Sequence, residues 1–327
     1  MAAGTGTAGR ATSVVLGLFL VCASCAGDQA DSSAPPTALP EGAEAISLLG
    51  DTLRTFPLSA AVRERYETQL ADAKRAYERT PENPDSIIWY ARRLGYVGQL
   101  RAAIAVYSAG IALHPDDPWM YRHRGHRYIS VREFDNAIRD LERAAALVAG
   151  TPDIVEPDGQ PNAANQPIGT LHSNINYHLA LAYYLKGDFE KALPVYRREL
   201  ETANNDDRRV SIAHWLYMSL RRLGRNDEAT AVAAEFSRQM NVIENGTYHE
   251  LMLMYRGLMS PDSVLTVGPN GEMSVTDATA AYGLANWHWY NGRRADAERT
   301  WRRIIEGGQW GAFGYIAAEA ELARERP

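Results

Sequence analysis

Apolar and small residues recur three and four positions apart along the chain, from about residue 60 to residue 323. On a helix this spacing places them in a single stripe that faces a core. The amphipathic segments come in pairs, and a short turn containing glycine or aspartate separates the two members of each pair. Recurring pairs of this kind predict an all-α protein of stacked helical hairpins.

The second segments of the pairs share a motif that strengthens this prediction. They span residues 97–115, 131–147, 186–200, 223–236 and 291–305. Each carries a small residue at a fixed place after the turn: Ala103, Ala137, Ala192, Ala229 and Ala297. A large residue follows four positions later in four of them, at Tyr107, Leu141, Tyr196 and Trp301, whereas the weaker fourth copy has Ala233.

The motif resembles the tetratricopeptide repeat, with repeats near 84–117, 118–150, 173–206, 210–240 and 278–310. The turn glycine of that family appears as Gly98, Gly187, Gly224 and Gly292, and Arg132 replaces it in the second copy. The resemblance implies a right-handed α-solenoid over residues 46–327. Residues 310–326 suit a C-terminal capping helix, and Pro194 should kink its helix or confine it to a late start.

Two insertions interrupt the array. Residues 148–170 carry four prolines and three glycines, which predicts a loop. Residues 238–277 contain a short apolar helix, YHELMLMYRGLM, that we expect to pack on the solenoid, followed by a turn at Gly268–Gly271.

The N-terminus has the features of an export signal. Arg10 precedes an apolar run at Val14–Val21 that is too short to span a bilayer and has the length of a signal-peptide core. Ala23 and Ser24 before Cys25 resemble a bacterial lipobox, although Cys22 stands where leucine is usual.

We therefore predict a signal peptide at 1–24 and a lipid anchor on Cys25. Residues 25–45 are rich in alanine, serine, proline and acidic residues, which predicts a disordered tether. The protein would be exported and held at the bacterial cell envelope, in the periplasm or at the cell surface. The alternative is cleavage near Ala26, which would secrete a soluble protein.

Charge and cysteine content narrow the partners. The formal net charge is -6 and the isoelectric point is near 5.8, which argues against nucleic acid. The chain has two cysteines, both in the leader, so the mature domain would have no disulfide or thiolate metal site.

Catalytic motifs are scarce. The sequence has no phosphate-binding loop, no G-x-S-x-G and no H-E-x-x-H. His123 and His126 would share one helix face, but the sequence places no third ligand beside them. We therefore predict no catalytic residue, no metal and no cofactor.

The first helices line the concave face in tetratricopeptide proteins, so the resemblance implies a partner-binding groove here. Its residues would be Arg92, Tyr96, Trp119, Arg122, His126, Tyr177, Tyr184, His214, Asn286 and Trp289. Aromatic and arginine side chains are typical anchors of binding surfaces. The set does not match the carboxylate clamp of the family, since Ile88 stands where a lysine would be expected.

The sequence thus predicts a non-enzymatic scaffold lipoprotein that docks a protein or peptide partner on its concave face. One alternative is a lipoprotein that binds a glycan or another small molecule in the aromatic groove. A hydrolase is a further alternative, which would need a compact acid–base constellation that the sequence does not display.

Overall fold

The computed structural model describes Met1 and residues 39–56, 58–264 and 273–325. The predicted signal peptide, Cys25, most of the predicted tether and the turn at Gly268–Gly271 lie outside the described residues. None of the described helices combines the length and the apolar character needed to cross a membrane.

Helices dominate the described ranges. A short hairpin, β1 (Ala45–Ile46) and β2 (Thr52–Leu53), comes first. The helices are α1 (Ala60–Arg79), α2 (Pro84–Tyr96), α3 (Leu100–Leu113), α4 (Pro118–Ser130), α5 (Phe134–Val148), α6 (Leu171–Lys186), α7 (Phe189–Thr202), α8 (Asp206–Arg222), α9 (Asn226–Ala234), α10 (Gly246–Tyr255), α11 (Val275–Tyr290), α12 (Arg294–Glu306) and α13 (Phe313–Arg324).

Helices pack as successive hairpins: α2 with α3, α4 with α5, α6 with α7, α8 with α9, and α11 with α12. The second helix of each of the first three hairpins also packs on the first helix of the next hairpin. The short helix α10 stands between α8 and α11 and contacts both, as predicted. The predicted fold class is confirmed as an all-α array of stacked helix–turn–helix hairpins with a C-terminal capping helix.

Capping residues set where the first helices begin. The side chains of Asn83, Asp117, Thr170, Asn205 and Ser274 each accept a hydrogen bond from a backbone N–H in the first turn of the helix that follows. These caps satisfy donors that would otherwise be unpaired at the helix start. As a result α8 begins at Asp206 rather than near 210, and α6 and α11 also begin slightly earlier than predicted.

The repeated small residue lets the two helices of a hairpin approach closely. All five alanines of the motif are fully buried, and so are the large residues four positions later. In the second hairpin the first helix also lies very close to the second, since a Cβ on Gly125 of α4 would lie 2.7 Å from Cγ of Leu141 on α5. Packing of this density explains why the motif recurs.

Arg132 has the left-handed backbone that glycine adopts in the other hairpin turns. Its φ is 66°, compared with 84° at Gly98. Such a conformation costs a non-glycine residue roughly 1–3 kcal/mol. The guanidinium of Arg132 offsets this cost by donating hydrogen bonds of 2.6 and 3.1 Å to the carboxylate of Glu319 and one of 3.0 Å to the carbonyl of Trp310.

The C-terminal helix does more than cap the array. It packs on α11 and α12 as predicted, but it also reaches α6, where Arg324 donates to the carbonyl of Leu185. Glu319 and Glu321 are buried on this helix and pair with Arg132 and Arg222 respectively. The helix α13 therefore lies across part of the concave face instead of covering only the last hairpin.

One expectation from the sequence needs correction, and one of the two alternatives for Pro194 is excluded. The predicted tether ends too late, because Ala45 is fully buried and Glu44 accepts a hydrogen bond of 2.8 Å from the backbone N–H of Arg101. Residues 39–45 therefore belong to the folded unit. Pro194 does not delay its helix, since α7 begins at Phe189 and contains the proline in its interior.

Replacing Arg132 with glycine should destabilise the fold although it relieves the backbone strain. The change leaves the buried carboxylate of Glu319 unpaired, and loss of one partner of a buried ion pair costs about 3–5 kcal/mol. This exceeds the strain of roughly 1–3 kcal/mol that is released. Urea unfolding of R132G against the wild type measures the difference.

The matched control is Arg302→Ala, which breaks an exposed ion pair with Glu298. That loss should cost at most about 1 kcal/mol. A variant R132G more stable than the wild type would show that the ion pair does not offset the strain.

Candidate functional site

A cavity of about 380 Å³ lies on the concave side of the first four hairpins. Its wall is formed by side chains of the first helices α2, α4, α6 and α8. The wall residues include Arg92, Tyr96, Arg122, His126, Arg127, Tyr177, His178 and Arg208. Cavities of this volume fall within the range of small-ligand sites.

The first insertion folds back and covers one side of the cavity. Glu156 donates its backbone N–H to the carbonyl of Gly169, and Val155 pairs with Thr170. Residues 156–158 and 167–169 of this loop line the cavity. Segments from later in the chain also contribute to the lining, through Tyr248 and Phe313.

Arginines of α2 hold the loop in place. Arg92 donates to the carbonyl of Pro157 at 3.0 Å, and Arg93 donates to the carbonyl of Gly159 at 2.9 Å. Gly159 comes so close to α2 that a Cβ there would lie 1.9 Å from the hydroxyl of Tyr96. A residue other than glycine at this position would push the loop away from the cavity.

A buried carboxylate of the loop pairs with one arginine of the wall. Oε2 of Glu156 lies 3.0 Å from Nε of Arg122 and accepts a hydrogen bond of 2.8 Å from Asn174. Both partners of the ion pair are almost fully buried. Arg208, farther along the wall, pairs in the same way with Glu199 at 3.2 Å.

Arg92 and Arg127 have no carboxylate within 4.0 Å among the described residues. Besides the loop carbonyl, Arg92 contacts the ring of Trp89, with its guanidinium carbon 4.4 Å from the ring centre. Arg127 donates to Nδ1 of His126 at 2.9 Å, and burial lowers the pKa of its guanidinium. The cavity thus holds two guanidinium groups whose charge is not neutralised by an ion pair.

Histidines from two helices meet beside these arginines. The rings of His126 and His178 lie 4.5 Å apart, and both contact the ring of Phe313. Burial lowers the pKa of each imidazole well below its usual value, and the neighbouring arginines lower it further. Both imidazoles are therefore neutral at pH 7.

Five of the ten predicted groove residues line the cavity. These are Arg92, Tyr96, Arg122, His126 and Tyr177. Trp119 and Trp289 are half-buried and lie outside this lining; Trp289 packs on Trp301 with ring centres 5.3 Å apart.

Tyr184, His214 and Asn286 do not line an open groove, because all three are fully buried. The hydroxyl of Tyr184 lies 2.8 Å from that of Tyr282 and accepts from Asn286 at 3.1 Å. His214 lies 3.2 Å from the hydroxyl of Tyr255. The insertion helix α10 and the C-terminal helices cover this half of the concave face, which repeat positions alone do not reveal.

The structure adds cavity residues that the repeat positions missed. They are Tyr107, His123, Arg127, Glu156, His178, Arg208 and Phe313. Arg127 sits next to a predicted groove residue on α4, so its place in the sequence was a usable signal. Glu156 and Phe313 come from the loop and from α13, and no periodicity connects them to the groove.

The hydroxyl groups on the wall are not paired with a base. Ser173 donates to the carbonyl of Thr170, and Ser211 donates to the carbonyl of Arg208. Among the residues that the structure describes, no three histidine, cysteine or acidic side chains are grouped so as to hold a metal ion. The arrangement is suited to binding a ligand through charge and aromatic contacts.

No protein-family model matches the chain. The BBSome complex member BBS4 of Bos taurus is 24% identical over 160 residues, which are 48% of this chain and 27% of that protein. The chain therefore spans about a quarter of the length of this curated relative.

Several solved helical-repeat structures are similar. YrrB, described as a TPR protein with an unusual peptide-binding site, is 19% identical, with 72% of this chain and 91% of YrrB covered and a TM-score of 0.40. A putative kinesin light chain with TPR-like repeats from Podosopora anserina is 16% identical, with coverages of 69% and 96% and a TM-score of 0.41. At these values the similarities carry no conclusion about what this chain binds.

The folded protein should lose stability as the pH falls, partly because of His178. The pKa of this buried imidazole lies well below 6.5, so below pH 6.5 the unfolded chain binds a proton that the folded chain excludes. The contribution of His178 to the free energy of unfolding is complete above the pKa that histidine has in the unfolded chain. It declines by about 1 kcal/mol between pH 6.5 and 5.5. The change H178Q should remove this decline, as measured by urea unfolding at both pH values.

The control is His172→Gln, on the first turn of the same helix and outside the cavity lining. It measures how a histidine-to-glutamine change on α6 affects the pH dependence of the free energy of unfolding when the cavity is left unaltered. If H178Q retained the full pH dependence of the wild type, the neutral, buried state of His178 would be wrong.

Proposed function

We propose that this chain is a non-enzymatic docking protein of the bacterial cell envelope, which receives a short segment of a protein partner in the cavity. The observation that carries the proposal is the cavity itself, whose wall combines the first helices of four hairpins. The wall presents arginine and tyrosine side chains, which are enriched among the residues that dominate binding energy.

The shape of the site limits the size of the docked segment. Tyr184, His214 and Asn286 are buried, so an extended partner has no continuous groove along all the hairpins. A volume of about 380 Å³ accommodates a few side chains. The packed helices need little reordering on binding, which reduces the entropic cost of association.

The envelope location rests on the N-terminal sequence. Lipid on Cys25 would hold the folded unit near a membrane and confine its search for partners to that surface. A single acyl chain gives only marginal binding, so a stable anchor requires more than one. The lipobox-like residues support such an anchor, because bacterial lipoprotein cysteines carry several chains.

A second candidate is a binding protein for a small molecule. The observation that favours it is the cover over the cavity, where the loop residues 156–158, Tyr248 and Phe313 narrow the access for a polypeptide. Tyrosine rings on the wall, such as Tyr96 and Tyr177, would stack on a sugar or another planar ligand.

Site-specific crosslinking tests the docking proposal. A photoreactive amino acid at position 96, in the cavity, should crosslink a single partner segment in intact envelopes, identified by mass spectrometry. The same group at position 289, a predicted groove position outside the cavity, should not. Filling the cavity with Ser211→Phe should abolish the crosslink at 96, whereas Trp289→Ala should preserve it.

The same crosslinking experiment separates the two candidate functions. A crosslink at 96 that persists in S211F, or equal crosslinking at 96 and 289, would overturn docking in the cavity. A small-molecule adduct at 96 without any polypeptide would favour the second candidate.

The predicted anchor has a test of its own. The change C25A should move the protein from the membrane fraction to the soluble fraction and abolish incorporation of labelled palmitate. The matched control C22A should leave both unchanged, because Cys22 lies on the signal-peptide side of the predicted cleavage. A mature wild-type protein that begins at Gly27 without lipid would instead support secretion after Ala26.

A further inference from the structure

Among the described residues, the ion pairs around the cavity leave two of its arginines without a partner. Four arginines line it, and two of them are neutralised, Arg122 by Glu156 and Arg208 by Glu199. Arg92 and Arg127 have only neutral acceptors for the hydrogen bonds described above. Arg92 is buried and Arg127 is half-buried. Withdrawing a cation from water without a counter-charge is costly, so this arrangement favours an anion from another source.

The two unneutralised arginines face the same space. Arg127 extends from α4 across to α2, where a Cβ on Gly95 would lie 2.6 Å from Nη1 of Arg127. Arg92 extends from α2, and its charge helps to lower the pKa of Arg127. Both side chains line the cavity and lie close enough for their charges to interact, so an anion that enters it is attracted by both guanidinium groups.

The other acidic side chains of the lining are engaged elsewhere. Glu244 is exposed at the rim and accepts a hydrogen bond of 3.0 Å from Asn162. Asp158 accepts one of 3.0 Å from the backbone of Gln160 within the loop. Neither forms an ion pair with a cavity arginine in the described ranges.

The pKa values of three cavity histidines are lowered by the same arginines. Arg122, Arg92 and Arg127 all contribute to lowering the pKa of His123, after the larger effect of burial. His126 and His178 respond in the same direction to Arg122 and Arg127. An anion placed beside the arginines would oppose this effect and raise the pKa of these imidazoles.

We infer that the cavity is an oxyanion site, in which Arg92 and Arg127 bind the carboxylate or phosphate oxygens of the ligand. The inference rests on the proposed docking function, and it identifies the docked segment as acidic. Arginine is suited to this role because its planar guanidinium donates two parallel hydrogen bonds to an oxyanion. The aromatic side chains of Tyr96 and Tyr177 would pack on the body of the segment.

Binding of defined probes to the purified folded protein tests the inference. The probes are inorganic phosphate, citrate, the capped peptide acetyl-Tyr-Glu-Glu-amide and its uncharged counterpart acetyl-Tyr-Gln-Gln-amide. The glutamate peptide should bind at least about tenfold more tightly than the glutamine peptide, because a buried charged hydrogen bond contributes at least that factor. The histidine resonances should show the pKa of His126 and His178 rising when the acidic peptide is bound.

Two arginine variants test whether the preference for the glutamate peptide arises in the cavity. Either Arg92→Gln or Arg127→Gln should weaken binding of the glutamate peptide by about tenfold or more and weaken binding of the glutamine peptide less, so that the preference for glutamate falls. Arg127→Lys should restore part of the affinity. The control Arg139→Gln removes a positive charge from the exposed side of α5 and should change neither peptide.

The outcomes separate this inference from the proposed function. Equal binding of the two peptides, with no response to phosphate or citrate, overturns the oxyanion site, while crosslinking at position 96 still supports docking. Saturable binding of phosphate or citrate without the glutamate peptide supports the oxyanion site with a free anion as its source, and counts against docking. If one glutamine variant does not fold, the other variant and the wild-type histidine titration decide.

Discussion

The close approach of two helices at a small residue is the constraint on which the whole array depends. Ala103, Ala137 and Ala192 are fully buried where the helices of their hairpins meet. A larger side chain at any of these positions would separate the helices and forfeit the dense packing of the neighbouring large residue. Because the same contact recurs, the first helices stand side by side and form one continuous wall. The cavity exists because four of these helices share that wall.

Buried ion pairs determine which part of this wall remains accessible to a ligand. Glu319 and Glu321 place carboxylates of α13 against Arg132 and Arg222, in surroundings where an unpaired charge is strongly unfavourable. These pairs orient α13 across the concave face, and Arg324 ties its end to α6. The C-terminal half of the concave face is therefore filled by the protein itself. What remains is a cavity in the N-terminal half instead of a groove along the array.

The sequence predicted the repeat well because repeat contacts are local and periodic. The turn position of Arg132 was identified from its place in the motif, and its positive φ confirms that assignment. Long-range contacts could not be predicted in this way. Burial of Tyr184 depends on Tyr282 and Asn286 of α11, which lie about a hundred residues farther along the chain, and the position of Glu156 depends on how an irregular loop folds back. Five of the ten predicted groove residues therefore line the cavity, while the ion pairs of the site could be found only from the structure.

The cavity combines two properties that ordinarily oppose each other. Its histidines are neutral because burial and the neighbouring arginines make protonation unfavourable, yet Arg92 and Arg127 line the same space without an ion pair. Guanidinium groups tolerate this better than ammonium groups, because their charge is delocalised and weakly hydrated. The loop covers one side of the cavity, and the lower effective dielectric of such partly covered surroundings strengthens Coulomb interactions. If the cavity is the proposed oxyanion site, the same packing that fixes the wall also sets its selectivity, because a neutral segment gains only aromatic contact whereas an acidic one also pairs with the two arginines.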